Sequence, residues 1–333
     1  MIYKNTEIHN AAHIYDGTEG IRMLRAPKNV YDKLERGQNA DEDCTGVELR
    51  FVMKSDKVTL KMRSYKEGIT STFHVFYGGI QGGWSDHEVN RVLDTEMREF
   101  IIEKNSEQKL LEDMTKEGNF PFSPSVVRIV FDRGYIELGD IIGDVEPPTV
   151  EMLPKKTLLC YGSSITHGSN AICYSNSWVS YLAKKLGVDC RNLGHSGSCL
   201  MEKEMVNYIA NEKWDIAVLE LGINALDWDD NEKIRSRVDY TVSAVAEKNP
   251  DKPIFVISPF YTREDFEGKT TAQNWRDIIS DVVKKRNYKN VKYISGAELI
   301  DNMSLISADF VHPSIYGVEK ICNRLYEHMK KCL

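Results

Sequence analysis

The spacing of apolar residues changes about halfway along the chain, and this change restricts the fold more than any other feature. Between residues 47 and 63, apolar side chains recur at nearly every second position, which is typical of half-buried β-strands. Segments 73–77 and 126–131 are rich in β-branched and aromatic residues, and paired glycines between them indicate turns. Residues 1–148 are therefore predicted to form an antiparallel β-sandwich of the jelly-roll kind.

Residues 149–333 instead alternate short apolar runs with longer helical patterns. The runs predicted as strands are 157–160, 189–193, 215–221, 253–258 and 291–294. The stretches predicted as helices are 177–186, 231–248 and 270–286, followed by a last helix that begins near residue 314. Strands that alternate with helices form parallel, doubly wound sheets. This half is therefore predicted to be a flavodoxin-like, three-layer α/β/α domain, and a length of 333 residues agrees with two domains.

Charge and cysteine content restrict the partners and the compartment. The net charge of −7 argues against a general affinity for nucleic acid or anionic membranes. The seven cysteines lack C-x-x-C spacing, which favours reduced thiols over a disulfide framework or a zinc site. The N-terminus has no apolar signal-peptide core, and no window is long and apolar enough to span a bilayer. We therefore expect a cytoplasmic protein; the oligomeric state is not indicated.

Chemically useful residues follow the predicted strands of the second half at the point where each strand ends. Ser164 follows the first strand, Gly197 the second and Asn224 the third, while Asp309 and His312 precede the last helix. In a doubly wound sheet, ligands bind outside the carboxyl ends of the strands. These residues are therefore expected to meet at one edge of the sheet.

The five residues match the requirements of acyl transfer. A serine hydroxyl is a poor nucleophile without a base, and His312 can accept its proton while Asp309 holds the histidine tautomer. The tetrahedral intermediate then needs donors for its oxyanion. The backbone N–H groups of Ser164 and Gly197 and the side-chain amide of Asn224 can supply them. This chemistry requires neither a metal nor an organic cofactor.

Each residue also has a structural interpretation. Ser164 alone could be a helix cap, Asn224 a turn residue, and Asp309 the cap of a helix that begins near Pro313. Ser163, which precedes Ser164, and Ser196, which precedes Gly197, are rival nucleophiles. The co-occurrence of the motifs favours the catalytic interpretation over these alternatives.

Other polar and aromatic residues have alternative roles. His167 and His195 are expected to contact substrate in the pocket or to face solvent. Together with His312 they match no zinc-binding spacing, so no metal site is predicted. Trp84 lies among glycines, where it could stack on a sugar ring or serve as a core or turn aromatic.

The motifs resemble the blocks of the SGNH hydrolases, also called GDSL-like esterases and lipases, a family named after a Ser, a Gly, an Asn and a His. The matching blocks are Gly162-Ser163-Ser164, 192–197, Gly222-Ile223-Asn224 and Asp309-x-x-His312, within residues 155–330. Two positions depart from the family pattern. Ser163 stands where the family usually has Asp, and Ala225 stands where Asp is frequent. A β-sandwich ahead of such a domain is similar to the layout of some carbohydrate esterases.

The resemblance implies a serine esterase that works through an acyl-enzyme, with Ser164, Asp309 and His312 as the catalytic triad. It further implies a small acyl-ester substrate, with a short acetyl-like chain on a carbohydrate as the favoured case. A lysophospholipase, a thioesterase or an acyltransferase of the same superfamily is the alternative. A carbohydrate-binding protein with an inactive hydrolase half is the non-enzymatic alternative.

Overall fold

The computed structural model describes residues 1–84, 91–228 and 230–333, which divide into two units. The first unit comprises Met1–Lys28, Asp41–Lys155 and Gly187–Asp189; the second comprises Asn29–Ala40, Lys156–Leu186 and Cys190–Leu333. The main division thus falls after residue 155 rather than at the predicted position after residue 148. Residues 29–40 belong with the second unit, which the hydrophobic pattern did not indicate because it contains no information on contacts distant in sequence.

The first unit is built from antiparallel strands that form two sheets. Its strands are β1 (Ile2–Tyr3), β2 (Thr6–His9), β3 (His13–Asp16), β4 (Ile21–Leu24), β5 (Glu48–Met53), β6 (Lys57–Ser64), β7 (Ser71–Tyr77), β8 (Ile80–Gln81), β9 (Val92–Leu93), β10 (Arg98–Glu103), β11 (Val126–Phe131), β12 (Ile136–Ile142) and β13 (Val145–Glu146). One sheet has the order β1-β2-β5-β11-β7-β8, with β13 on β5 and β9 on β7, and the other has the order β10-β6-β12-β4-β3. The predicted sandwich is confirmed.

The sandwich encloses one apolar core to which both sheets contribute. Phe51 and Phe73 enter it from the first sheet, and Leu60 and Leu138 from the second, all almost fully buried. Strand β6 shows the predicted alternation of buried and more exposed residues. The short helices of this part of the chain are α1 (Lys28–Tyr31), α2 (Gln38–Glu42) and α3 (Gln108–Glu117), and the first two overlap the two ends of the segment 29–40, which belongs to the second unit.

Strand β5 departs from the predicted alternation because all six of its residues are buried. Its polar face carries Glu48 and Arg50, and the Arg50 guanidinium binds both carboxylate oxygens of Asp189 at 2.7 Å and Glu48 at 2.8 Å. Burial opposes the charge of Glu48, but the nearby Arg128 and Arg50 outweigh it and lower the pKa of Glu48 to about 2. The ion pairs therefore compensate for the desolvation of the Glu48 and Arg50 side chains, which would not arise if this face of β5 were exposed.

The second unit is a five-stranded sheet with helices packed on it. Its strands are β14 (Thr157–Gly162), β15 (Asp189–Gly194), β16 (Ile216–Glu220), β17 (Ile254–Ile257) and β18 (Val291–Ile294). Its helices are α4 (Ser164–His167), α5 (Trp178–Leu186), α6 (Lys203–Asn211), α7 (Asn231–Lys248), α8 (Arg263–Phe266), α9 (Thr271–Arg286), α10 (Gly296–Leu299) and α11 (Ile315–Met329). The predicted α/β domain is confirmed, and α6 is a helix that the sequence analysis missed.

The order of the strands determines where a site can form. The sheet runs β15-β14-β16-β17-β18, and the pairs β14–β16, β16–β17 and β17–β18 are parallel. The chain moves from β14 to one neighbour, β15, and then returns to the other side with β16. The switch point of the topology is therefore at β14, the strand that leads into Ser164.

The longer helices of the second unit pack against one another in two groups. Helix α7 packs on α6 and α9, while α5 packs on α11. Residues Ile234, Val238, Val242 and Val245 form the buried face of α7, which agrees with the predicted spacing. In the part of the chain that the structure describes, no helix combines the length and the apolar character needed to cross a membrane.

Candidate active site

Ser164 is the first residue of the short helix α4, directly after strand β14. The Ser163 hydroxyl caps this helix by accepting a hydrogen bond from the Ile165 N–H at 3.1 Å. A Cβ on Gly162 would lie 2.2 Å from the Thr166 hydroxyl oxygen, so only glycine allows the strand to approach the helix this closely. The strand therefore delivers Ser164 at the carboxyl edge of the sheet, with its backbone N–H free of an intrahelical partner.

The side chains of Ser164, His312 and Asp309 form one hydrogen-bonded chain. Ser164 Oγ lies 2.7 Å from His312 Nε2, and His312 Nδ1 lies 2.7 Å from Asp309 Oδ2. Both ring nitrogens of His312 are thus hydrogen-bonded within this chain. This geometry allows the imidazole to take a proton from the serine hydroxyl while the carboxylate orients the ring.

The loop around Asp309 is held by its own carboxylate. Asp309 Oδ1 accepts hydrogen bonds from the backbone N–H groups of Val311 and His312 at 3.0 and 2.9 Å and from the Ser307 hydroxyl at 2.8 Å. Partial burial opposes the charge, but these donors outweigh it and hold the pKa of Asp309 well below its usual range. Asp309 is therefore ionised at neutral pH.

Two features of the loop around Asp309 were missed by the sequence analysis. The Asn170 side-chain amide donates to Asp309 Oδ2 at 3.0 Å and to Ser307 Oγ at 2.8 Å. Phe310, between the acid and the histidine, has a left-handed backbone with φ 63°, which is costly for a bulky residue. Neither feature belongs to a sequence motif, so only the folded loop reveals them.

The three predicted oxyanion donors follow three adjacent strands. Gly197 adopts φ 66°, and a Cβ built on it would meet nothing within 4 Å, so backbone conformation rather than space favours glycine. The Asn224 side-chain oxygen accepts the Cys199 N–H at 3.0 Å. This bond fixes the orientation of the Asn224 amide, and no acceptor among the described residues takes up its NH₂ group. That NH₂ group can therefore donate to a developing oxyanion.

The predicted placement of His167 and His195 is wrong. Both imidazoles are buried, at 0% and 1% exposure, and neither faces solvent or offers surface to a substrate. His167 Nδ1 lies 2.7 Å from Ser196 Oγ, and His195 Nδ1 lies 2.9 Å from the Leu193 carbonyl. The two histidines therefore make hydrogen bonds to Ser196, in the loop after β15, and to Leu193, in β15 itself.

The rival serines have other partners. The Ser163 hydroxyl is fully buried, so it is not accessible to a substrate, and it donates to Glu220 Oε2 at 2.7 Å. Ser196 contacts His167, as described above. Trp84 of the first unit is 91% exposed, which excludes the core alternative, and its stacking on a sugar stays a prediction.

An arginine from the first quarter of the chain lies beside Asn224. Arg36 Nη2 donates to the Asn224 carbonyl at 3.3 Å, and a Cβ on Gly37 would lie 3.4 Å from the His195 ring. An ion pair between Glu35 and Arg237 anchors the same segment. The segment 29–40 is thus part of the site, although it lies far from the motifs in sequence.

A cavity of about 500 Å³ lies against the loop that carries Asp309. Its lining is mainly apolar and consists of Arg263, Phe266, Glu267, Met303, Ile306, Ser307, Ala308 and Phe310. The cavity is lined by Ser307, Ala308 and Phe310, the neighbours of Asp309 in sequence, whereas neither Asp309 nor His312 is among its lining residues. No motif described in the sequence analysis indicated this cavity.

The fold and the site together define a carboxylic ester hydrolase. The chain belongs to the GDSL-like Lipase/Acylhydrolase family, whose model matches residues 155–330, more than half of the chain. The resemblance inferred from the four blocks is confirmed. No curated protein matches the sequence.

Solved structures of similar fold cover nearly the whole chain, including the sandwich. A salicylyl-acyltransferase from a tetracycline biosynthetic pathway is 18% identical, covers 99% of this chain and 96% of its own, and has a TM-score of 0.76. A family two carbohydrate esterase from Cellvibrio japonicus is 12% identical, with 98% and 95% covered and a TM-score of 0.65. A family two carbohydrate esterase from Clostridium thermocellum, solved with cellohexaose, is 13% identical, with 98% of both chains covered and a TM-score of 0.63. These likenesses establish the two-part fold.

Proposed function

We propose that the chain is a serine esterase that hydrolyses its substrate through an acyl-enzyme formed on Ser164. The observation that carries the proposal is the hydrogen-bonded chain from Ser164 through His312 to Asp309. His312 takes the Ser164 proton as the hydroxyl attacks the ester carbonyl, and then returns it to the leaving alcohol. Water, activated by the same histidine, attacks the acyl-enzyme and releases the acid.

The oxyanion formed in both steps is stabilised by the N–H groups of Ser164 and Gly197 and by the Asn224 amide. Replacing Asn224 with Ala is expected to lower kcat by roughly 10²–10³-fold with a smaller change in KM, because the oxyanion exists only near the transition state. Steady-state kinetics with p-nitrophenyl acetate measures both constants. Exposed Asn211, changed to Ala, is the matched control. An Asn224→Ala enzyme with a raised KM and an unchanged kcat would show that Asn224 binds the substrate in its ground state.

The substrate that we propose is a short-chain, acetyl-like ester of a carbohydrate. Two observations support it: the loops after β14 and β15 are small and polar, and esterases of carbohydrates share the two-part architecture. A comparison of acetylated sugars with acetylated simple alcohols at equal concentration tests the alcohol preference.

The acyl preference is tested with p-nitrophenyl esters of increasing chain length. We expect kcat/KM to fall beyond about four carbons as a small pocket runs out of room. A long apolar tunnel would instead gain roughly 0.8 kcal/mol for each buried methylene. A steady rise from acetyl to octanoyl esters would contradict the proposal and would indicate that the acyl chain enters an apolar space such as the cavity beside Asp309.

An acyltransferase is the second candidate, because one of the structures with the same two-part fold is a salicylyl-acyltransferase. The same acyl-enzyme would then pass its acyl group to an alcohol instead of water. Adding a sugar or phenolic alcohol to the assay separates the two. Acylated acceptor in excess over free acid would favour the transferase.

A further inference from the structure

We propose that Glu220 is a positioning residue for the nucleophile, holding the Ser163–Thr166 turn so that Ser164 meets His312. This inference rests on the proposed role of Ser164. Glu220 is the last residue of β16, the strand next to β14, and it is fully buried. No step of acyl transfer uses its carboxyl group, so its burial needs another explanation.

One carboxylate oxygen of Glu220 binds the turn on both sides of Ser164. Oε2 accepts the Ser163 N–H at 2.7 Å, the Ser163 hydroxyl at 2.7 Å and the Thr166 hydroxyl at 3.0 Å. Residues 163 and 166 flank the nucleophile, so a single oxygen sets the position of the residues before and after it. A Cβ on Gly162 would lie 2.6 Å from the same oxygen, which shows how closely the strand and the carboxylate pack.

The other carboxylate oxygen indicates that the arrangement has a cost in stability. Oε1 is buried and has no hydrogen-bond partner among the described residues, and Glu220 forms no ion pair there. Burial raises the pKa of Glu220 to about 7, although the hydrogen bonds from Ser163 and Thr166 act in the opposite direction. An apolar residue would avoid this cost but would leave three donors of the turn without an acceptor.

The contacts predict a defect in rate rather than in substrate binding. Without Glu220, the Ser163 N–H and two hydroxyls lose their acceptor, and the turn can shift Ser164 relative to His312. A displacement of about 1 Å at a reacting group costs roughly 10²-fold in rate. The substrate still meets the same pocket, so KM should change little.

The test compares Glu220→Ala and Glu220→Gln with the wild type in the full-length protein. Active sites are counted by the p-nitrophenol burst, and kcat is expressed for each competent site. We expect Glu220→Ala to lower kcat by about 10²-fold, with a parallel fall in the rate of fluorophosphonate labelling of Ser164. Glu220→Gln keeps an oxygen that can accept from the turn, and its kcat should lie between those of the wild type and the Ala variant.

A matched control separates positioning from general destabilisation. Glu137 is another buried carboxylate, paired with Arg22 at 2.8 Å in the first unit. Glu137→Gln is expected to lower the melting temperature without changing kcat for each competent site. The role of Glu220 is refuted if Glu220→Ala also lowers only the melting temperature and keeps the wild-type kcat and labelling rate.

Stability as a function of pH gives a readout that does not depend on catalysis. A carboxyl whose folded pKa is raised from 4.5 to about 7 stabilises the fold fully below pH 4.5 and loses that contribution as the pH rises to about 7. Wild type should therefore lose stability relative to Glu220→Gln over this window. Of the titratable neighbours on the adjoining elements, Tyr161 of β14 and Cys199 have pKa values that burial raises well above their usual range, so neither titrates in this window. His167 of α4 is present in both proteins. Parallel stability curves would refute the buried, titrating state of Glu220.

The experiment also distinguishes this inference from the proposed function. Turnover that survives in Ser164→Ala refutes the proposed function itself. An inactive Ser164→Ala enzyme beside a fully active Glu220→Ala enzyme refutes only the role of Glu220.

Discussion

Replacing Ser164 with Ala is expected to remove nearly all esterase activity while leaving the fold unchanged. The hydroxyl that forms the acyl-enzyme is lost, whereas the capping bond of α4 comes from Ser163 and remains. Members of a catalytic triad act as a unit, so His312→Ala should cost about as much, of order 10⁴-fold or more, and the double mutant little further. Hydrolysis of p-nitrophenyl acetate measures the loss, and thermal unfolding checks the fold.

The rival serine provides the control for this prediction. Ser196 also contacts a histidine, His167, at 2.7 Å. A fluorophosphonate should label Ser164 in the wild type and in Ser196→Ala, and should not label the Ser164→Ala protein. Labelling that disappears in Ser196→Ala would identify Ser196 as the nucleophile. A Ser164→Ala enzyme that keeps much of the wild-type turnover would show that Ser164 is not the nucleophile.

Replacing Asp309 with Asn is expected to lower kcat by about 10⁴-fold, although the new side chain has nearly the same shape. The amide oxygen of the new side chain can still accept hydrogen bonds from the backbone N–H groups of Val311 and His312. Its NH₂ group then points toward His312 Nδ1. The ring must then accept at Nδ1 and carry its proton on Nε2, the nitrogen that faces Ser164. A protonated Nε2 cannot take the serine proton.

The Ala variant at the same position tests this explanation. Asp309→Ala also lacks the carboxylate, but it imposes no tautomer on His312 and should keep more activity than Asp309→Asn. Comparing kcat of the two variants isolates the effect of the tautomer. Near-normal turnover by Asp309→Asn would mean that the Ser164–His312 pair is sufficient without the acid.

Much of the catalytic unit could be predicted from the sequence because its signals are local. Helix α7 has the predicted bounds, and β14 to β18 lie within three residues of the predicted strands. The sequence also predicted that Ser164, Asp309 and His312 lie close together. The carboxyl ends of parallel strands meet at one edge of the sheet, so the motifs that follow those strands lie at that edge. The hydrogen bonds between these three side chains agree with that expectation.

The errors have a common physical cause, which is that burial and partner choice depend on contacts distant in sequence. His167 and His195 looked suited to binding because they lie in the motif loops, yet both point into the protein. Strand β5 was expected to be half-buried, but a buried set of ion pairs covers its polar face. Arg36 reaches Asn224 across 188 positions of the chain, and no local pattern indicates such a contact.

The sequence by itself determined the two fold classes and the residues able to perform acyl transfer, because hydrophobic period and motif spacing are properties of short segments. Only the tertiary structure decided how these residues are supported. Asn170 and Ser307 orient Asp309, Cys199 orients Asn224, and Glu220 binds the turn around Ser164. The supports from Asn170, Cys199 and Glu220 each join separate loops or strands, so they exist only once the sheet has brought those ends together.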